Sequence, residues 1–116
     1  MRRAAQAGSQ GARQTGTAHL PYQEAVRILD KLAKDRSDVP QYQGDLARTY
    51  DKLAFLYDDE HENAKAEEAF RKALPLWEKL AGAHPHELDY ALNLLKTRYN
   101  LGNLLKAHAD FAGAID

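Results

Sequence analysis

The sequence predicts an all-α protein made of antiparallel helix hairpins placed in tandem, and three observations lead there. Of 116 residues, twenty are alanine and sixteen leucine, whereas Val, Ile and Thr together number eight. Ala and Leu lose little rotamer freedom in a helix, and the β-branched residues that sheets favour are scarce. Apolar residues recur at spacings of three and four, the period of a helix face. The chain also repeats itself.

The repeat emerges at an offset of 48, where residues 22–57 fall on residues 70–105 without a gap. Identities include Ala25/Ala73, Leu32/Leu80, Tyr42/Tyr90, Leu46/Leu94, Thr49/Thr97, Leu53/Leu101 and Leu56/Leu104. Substitutions between them conserve character: Tyr22 faces Phe70, Val26 faces Leu74, and Arg48 faces Lys96.

Taken in order, residues 1–18 are expected to form a disordered or ragged lead-in. They hold Gly8, Gly11 and Gly16 with Arg2, Arg3 and Arg13, and no acidic residue precedes Glu24. No apolar run of the kind a secretory signal needs follows the arginines. Residues 19–116 read as helical. Within them, 21–35 stand as the second helix of a preceding hairpin, since Tyr22 and Ala25 occupy the places of Phe70 and Ala73.

Residues 40–82 read as a full hairpin. Leu46, Ala47, Tyr50, Leu53, Ala54 and Tyr57 trace one stripe, and the polar run Asp58–Asn63 breaks it. A second helix is expected from Ala64 to Ala81, with Gly82 as its stop. Ser37 or Asp38 is expected to cap the helix that contains Pro40. Pro75 lies inside the second helix, where it removes a hydrogen bond and should kink the backbone at a cost of roughly 3 kcal/mol. Residues 85–116 read as a truncated hairpin. Its first helix starts near Pro85, with Glu87 and Asp89 at the positive dipole end.

Composition excludes several functions. Sixteen basic residues against seventeen acidic ones give a net charge of −1, so nothing pulls the whole chain toward nucleic acid or an anionic membrane. Without cysteine there is no thiolate metal site and no thiol nucleophile. Neither Ser9 nor Ser37 sits in a catalytic motif, and no phosphate-binding glycine loop follows a strand. The histidines are spaced unlike metal ligands on a helix, which stand at i and i+4. No enzyme activity, cofactor or metal is expected. No stretch approaches the ~20 apolar residues of a membrane span, which points to a cytoplasmic protein.

The segment Ala47–Leu80 resembles a tetratricopeptide repeat, and Leu95–Asp116 resembles the first two-thirds of the next. The family places Leu and a small residue in the first helix with a large residue three further on, as in Leu53-Ala54 with Tyr57 and Leu101-Gly102 with Leu105. Its second helix carries Ala, an aromatic and Ala, as in Ala66, Phe70 and Ala73. Asp110–Ile115 is similar to the family's inter-helix turn. The 48-residue period exceeds the family's usual 34 and resembles the extended repeats of large bacterial multidomain proteins, some with a serine/threonine kinase domain.

The resemblance implies a right-handed α-solenoid that acts as a protein-interaction scaffold, its first helices lining a concave groove for a peptide or partner helix. By matching offsets the groove would present Arg48, Asp51, Phe55 and Asp58, then Lys96, Tyr99, Asn103 and Lys106. A chaperone-tail carboxylate clamp is met only in part by Lys96, Asn100 and Asn103; Asp51 and Phe55 stand where a Lys and an Asn belong. Trp77, at core spacing from Phe70, Ala73 and Leu80, is expected inside. The face of Leu101, Leu104 and Leu105 is expected to lack cover and so to favour self-association. Alternative roles are a structural spacer or a regulatory appendage of a larger enzyme such as a kinase.

Overall fold

The computed structural model describes residues 18–115, with side chains described for residues 18–109; the expected lead-in therefore lies outside the described residues, apart from Ala18. Among those residues the protein is all-helical. Four helices follow one another: α1 (Leu20–Asp35), α2 (Pro40–Asp59), α3 (Asn63–Ala83) and α4 (Leu88–Ile115). Each packs chiefly on its neighbours in sequence, α1 on α2, α2 on α3 and α3 on α4, as short connections between antiparallel helices dictate.

The 48-residue repeat extends to the backbone of the connections. Helix α1 ends at Arg36, with φ −127° and ψ 64°, and α3 ends at His84, with φ −130° and ψ 68°. The same three backbone hydrogen bonds follow each end. Arg36 N–H donates to Leu32, Val39 to Arg36 and Tyr42 to Val39; at the later site His84 donates to Leu80, Glu87 to His84 and Tyr90 to Glu87. Pro85 restricts His84 to extended geometry, whereas Ser37 imposes no such restriction on Arg36. One backbone path is thus reached with different residues.

The other connection, Glu60–Glu62, closes α2 differently. His61 has φ 62°, a left-handed conformation that a residue with a Cβ adopts reluctantly. Around it, His61 N–H donates to Asp58 O at 3.0 Å and Glu62 N–H to Tyr57 O at 2.8 Å. Those two bonds are the paired closure of a helix end that normally uses glycine at this position.

Several local expectations are corrected. Neither Ser37 nor Asp38 caps α2: the cap is Val39, with no side-chain bond and Pro40 in the first turn, while Asp38 pairs with Arg36. Helix α4 begins at Leu88 rather than near Pro85, which lies in the turn. Gly82 does not stop α3, which runs to Ala83, because the restriction imposed by Pro85 falls one residue beyond. Asp110–Ile115 is helical, not a turn. No proline interrupts the segment, and α4 continues through Gly113. Pro75 sits within α3 and is exposed.

The core forms two adjoining clusters. One gathers Leu53, Ala54 and Tyr57 of α2, Ala66, Ala69 and Phe70 of α3, and Leu101 of α4. The other gathers Ala47 with Ala73, Trp77 and Leu80. Ala47, Ala54, Ala66, Ala73 and Trp77 are fully buried. The alanines let the helices approach, and Phe70 and Trp77 fill the space that remains. Leu101 is buried, with Leu104 and Leu105 packed against the first cluster. The face expected to lack cover is therefore turned inward, since it is the side by which α4 meets α2 and α3.

Candidate partner-binding surface

The eight expected groove residues lie on corresponding faces of α2 and α4, but they do not form one uniform surface. On α2, Arg48, Phe55 and Asp58 are exposed. Arg48 bonds Asp45 at 3.1 Å, and its guanidinium lies 5.5 Å from the Trp77 ring centroid. Phe55 is half exposed and meets the Phe70 ring edge-on at 5.5 Å, a geometry that aromatic quadrupoles favour.

Asp51 departs from the expectation. It is half-buried, accepts the Trp77 indole N–H at 2.9 Å and takes the Thr97 hydroxyl at 2.9 and 3.0 Å. Burial pushes its carboxyl above the usual carboxylate range, and the Trp77 and Thr97 bonds offset part of that rise. Asp51 therefore joins α2, α3 and α4 internally and is not an open groove residue. It satisfies two groups that burial would otherwise strand: Trp77 is wholly buried and Thr97 is 1% exposed.

On α4, Lys96, Tyr99, Asn103 and Lys106 are all exposed, Tyr99 at 70%. Tyr99 continues a row that the expected set omitted. Leu88 is 76% exposed, Leu92 49% and Leu95 61%. Together the four make an apolar stripe on the side of α4 opposite Leu94, Thr97 and Leu101. Their spacing of four, three and four is legible in the sequence, but so is the buried stripe. Sequence alone does not say which of two apolar faces a helix turns inward.

One cleft, of about 240 Å³, lies among α1, α2 and α3 and is lined in part by Gln23, Tyr50, Tyr57, Lys65, Glu68 and Lys72. There Lys65 lies 5.8 Å from the Tyr57 ring centroid and Lys72 lies 5.9 Å from that of Tyr50. A second, of about 360 Å³, is lined by Asp58, His61, Asn63, Leu104, Ala107 and His108, so Asp58 fronts the far end of α4. Among the described residues no group of three His, Asp or Glu side chains is placed to hold a metal ion. No helix described is long and apolar enough to cross a membrane.

Comparison with protein-family models, with curated proteins and with solved structures gave no match. The surface must be read from its own chemistry, which offers an aromatic ring on each of two corresponding helices. Both signs of charge surround them, with Arg48, Lys96 and Lys106 set against Asp58.

Proposed function

We propose that the chain is a non-catalytic protein-interaction scaffold, part of a right-handed α-solenoid of tetratricopeptide type that receives a peptide or partner helix. The observation that carries this reading is the exposure of Phe55 and Tyr99 on α2 and α4. Large aromatics left open within a rim of mixed charge are the composition of a surface that another protein covers. The recurring backbone of the two inter-hairpin connections supports the solenoid part of the reading, because equal connections impose equal helix placement.

The occupant that suits this surface is an amphipathic segment. Its apolar side chains would meet Phe55 and Tyr99, and its charged ones would meet Arg48, Asp58, Asn103 and Lys106. Asp51 is left out of the surface, being engaged with Trp77 and Thr97.

The test compares wild type with the Phe55→Ala/Tyr99→Ala double variant, after matched circular dichroism, for capture of peptides from an immobilised library of amphipathic helices. Loss of the captured set with helicity retained supports the reading. An unchanged set rejects it.

A further inference from the structure

We propose that the stripe of Leu88, Leu92, Leu95 and Tyr99 is covered by the same stripe of a second copy of this chain, α4 lying antiparallel on α4 about a twofold axis. The pairing does not depend on the groove reading; it shares Tyr99 and Lys96 with it, so a second copy and a peptide would compete for that part of α4.

The first support is periodicity. Steps of four, three and four residues place these side chains at the core positions of a heptad, over about 16 Å of helix at 1.5 Å per residue. The second is what the same positions do one repeat earlier. Moved back by 48, the stripe falls on Pro40, Gly44, Ala47 and Asp51. There Gly44 and Ala47 are buried, and Asp51 is bonded to both α3 and α4. This face of α2 is thus a covered face, but one made of small residues. Leu92 and Leu95 are too large for that close approach and suit interdigitation at axial separations of about 8–10 Å.

Charge fixes the direction. Asp89 and Lys96 flank one side of the stripe, both are exposed, and neither forms an ion pair within its own chain among the described residues. When Leu92 of one copy lies opposite Leu95 of the other, Leu88 lies opposite Tyr99, and Asp89 of each copy falls beside Lys96 of the other. A parallel pairing would set Ala91 beside Lys96 and leave Asp89 without a cation. Only the antiparallel arrangement joins the charges, and symmetry makes it do so twice.

The chain's own start is a poor substitute for the second copy. Residues 1–17 contain Met1 as their single large apolar side chain, too little to cover four. Full cover of the stripe in both copies removes roughly 1,000 Å², at the lower end for a specific pair. The dimer should therefore be reversible and dependent on concentration.

Sedimentation velocity on the full chain across roughly 5–500 μM tests this, alongside Leu95→Glu, Asp89→Lys, Lys96→Asp and the Asp89→Lys/Lys96→Asp double reversal, all checked for helicity. The expected result is a dimer that Leu95→Glu abolishes, that each single reversal weakens about tenfold, and that the double reversal restores to within about threefold. Phe55→Ala, outside the stripe, should leave the dimer intact, so failure of the groove reading and failure of this one are separable. A monomer at every concentration, a dimer that survives Leu95→Glu, or a double reversal no better than the singles would each overturn the proposal.

Discussion

Asp51 and Trp77 are joined by a 2.9 Å hydrogen bond from the indole N–H to the carboxylate, with the Thr97 hydroxyl on the same group. Three helices meet at one acidic side chain. Replacing it by alanine would leave a buried indole N–H and a buried hydroxyl without a partner, at about 1–3 kcal/mol. Asp51→Asn keeps one acceptor oxygen, and the Thr97 hydroxyl can turn to accept from the new amide. Its stability should lie within about 1 kcal/mol of wild type, measured by urea unfolding at neutral pH.

The pH dependence of that pair of proteins follows from the direction of the Asp51 shift. A carboxyl raised by burial holds its proton more tightly in the folded chain than in the unfolded one. Its contribution is therefore most favourable below the unfolded value and is lost as pH rises through the folded value. The amide of the Asp51→Asn variant does not titrate and carries no such dependence. The stability of Asp51→Asn relative to wild type should thus rise from about pH 3 to pH 7. Glu24 and Asp38 act oppositely: Arg27 and Arg36 hold them below the usual range, so what they contribute falls away as pH drops. Both are exposed and present in both proteins, so they cancel in the difference. A difference that stays flat with pH would show that Asp51 is not desolvated.

Trp77 should tolerate little change. It is wholly buried between Ala47, Ala73 and Leu80, with Tyr90 beside it at 6.3 Å between ring centroids. Trp77→Ala is expected to cost about 3–5 kcal/mol, a large part of the stability of a small domain. Trp77→Phe fills part of the volume but leaves Asp51 without the indole donor. It should cost less than alanine, with the midpoint in urea falling between the other two proteins.

The hairpin pattern was readable because Leu53, Ala54 and Tyr57 fall within about one helical turn and recur as Leu101, Gly102 and Leu105. Such local periodicity needs no knowledge of the rest of the chain. The role of Asp51 was not readable in this way. Its partners lie 26 and 46 residues along the chain, and an aspartate in mid-helix looks like any solvated one. The outward stripe of α4 was hidden differently: a helix with two apolar faces does not announce which one packs. At Asp110–Ile115 the resemblance suggests a turn, but no proline stands there to end the helix, and α4 runs on through Gly113.

His61 gave no sign in the sequence of its left-handed backbone, and it supplies a stabilising substitution. A side chain at φ 62° costs about 1–2 kcal/mol that glycine avoids. Glycine in turn loses about 0.5–1 kcal/mol to the extra freedom of the unfolded chain. The side chain is exposed and makes no hydrogen bond within the described structure, so little is lost with it. His61→Gly should gain up to about 1 kcal/mol, and His61→Val should lose about as much, read from urea midpoints with unchanged slope.

Gly44 offers a test of packing rather than of turn geometry. It lies inside α2 with ordinary helical φ, so it needs no glycine for conformation. A Cβ placed there would meet Arg48 at 3.6 Å, a Tyr90 ring carbon at 3.7 Å and a Leu80 methyl at 3.9 Å. All three distances are ordinary van der Waals contacts, and the added methyl would close space between α2, α3 and α4. Glycine within a helix costs about 1 kcal/mol relative to alanine. Gly44→Ala should therefore raise stability by about 1 kcal/mol and the thermal midpoint by about 4–8 °C. A lower midpoint would mean that α2 and α4 lie closer together than the 3.7 Å contact to Tyr90 allows, and the placement of α4 against the hairpin would need revision.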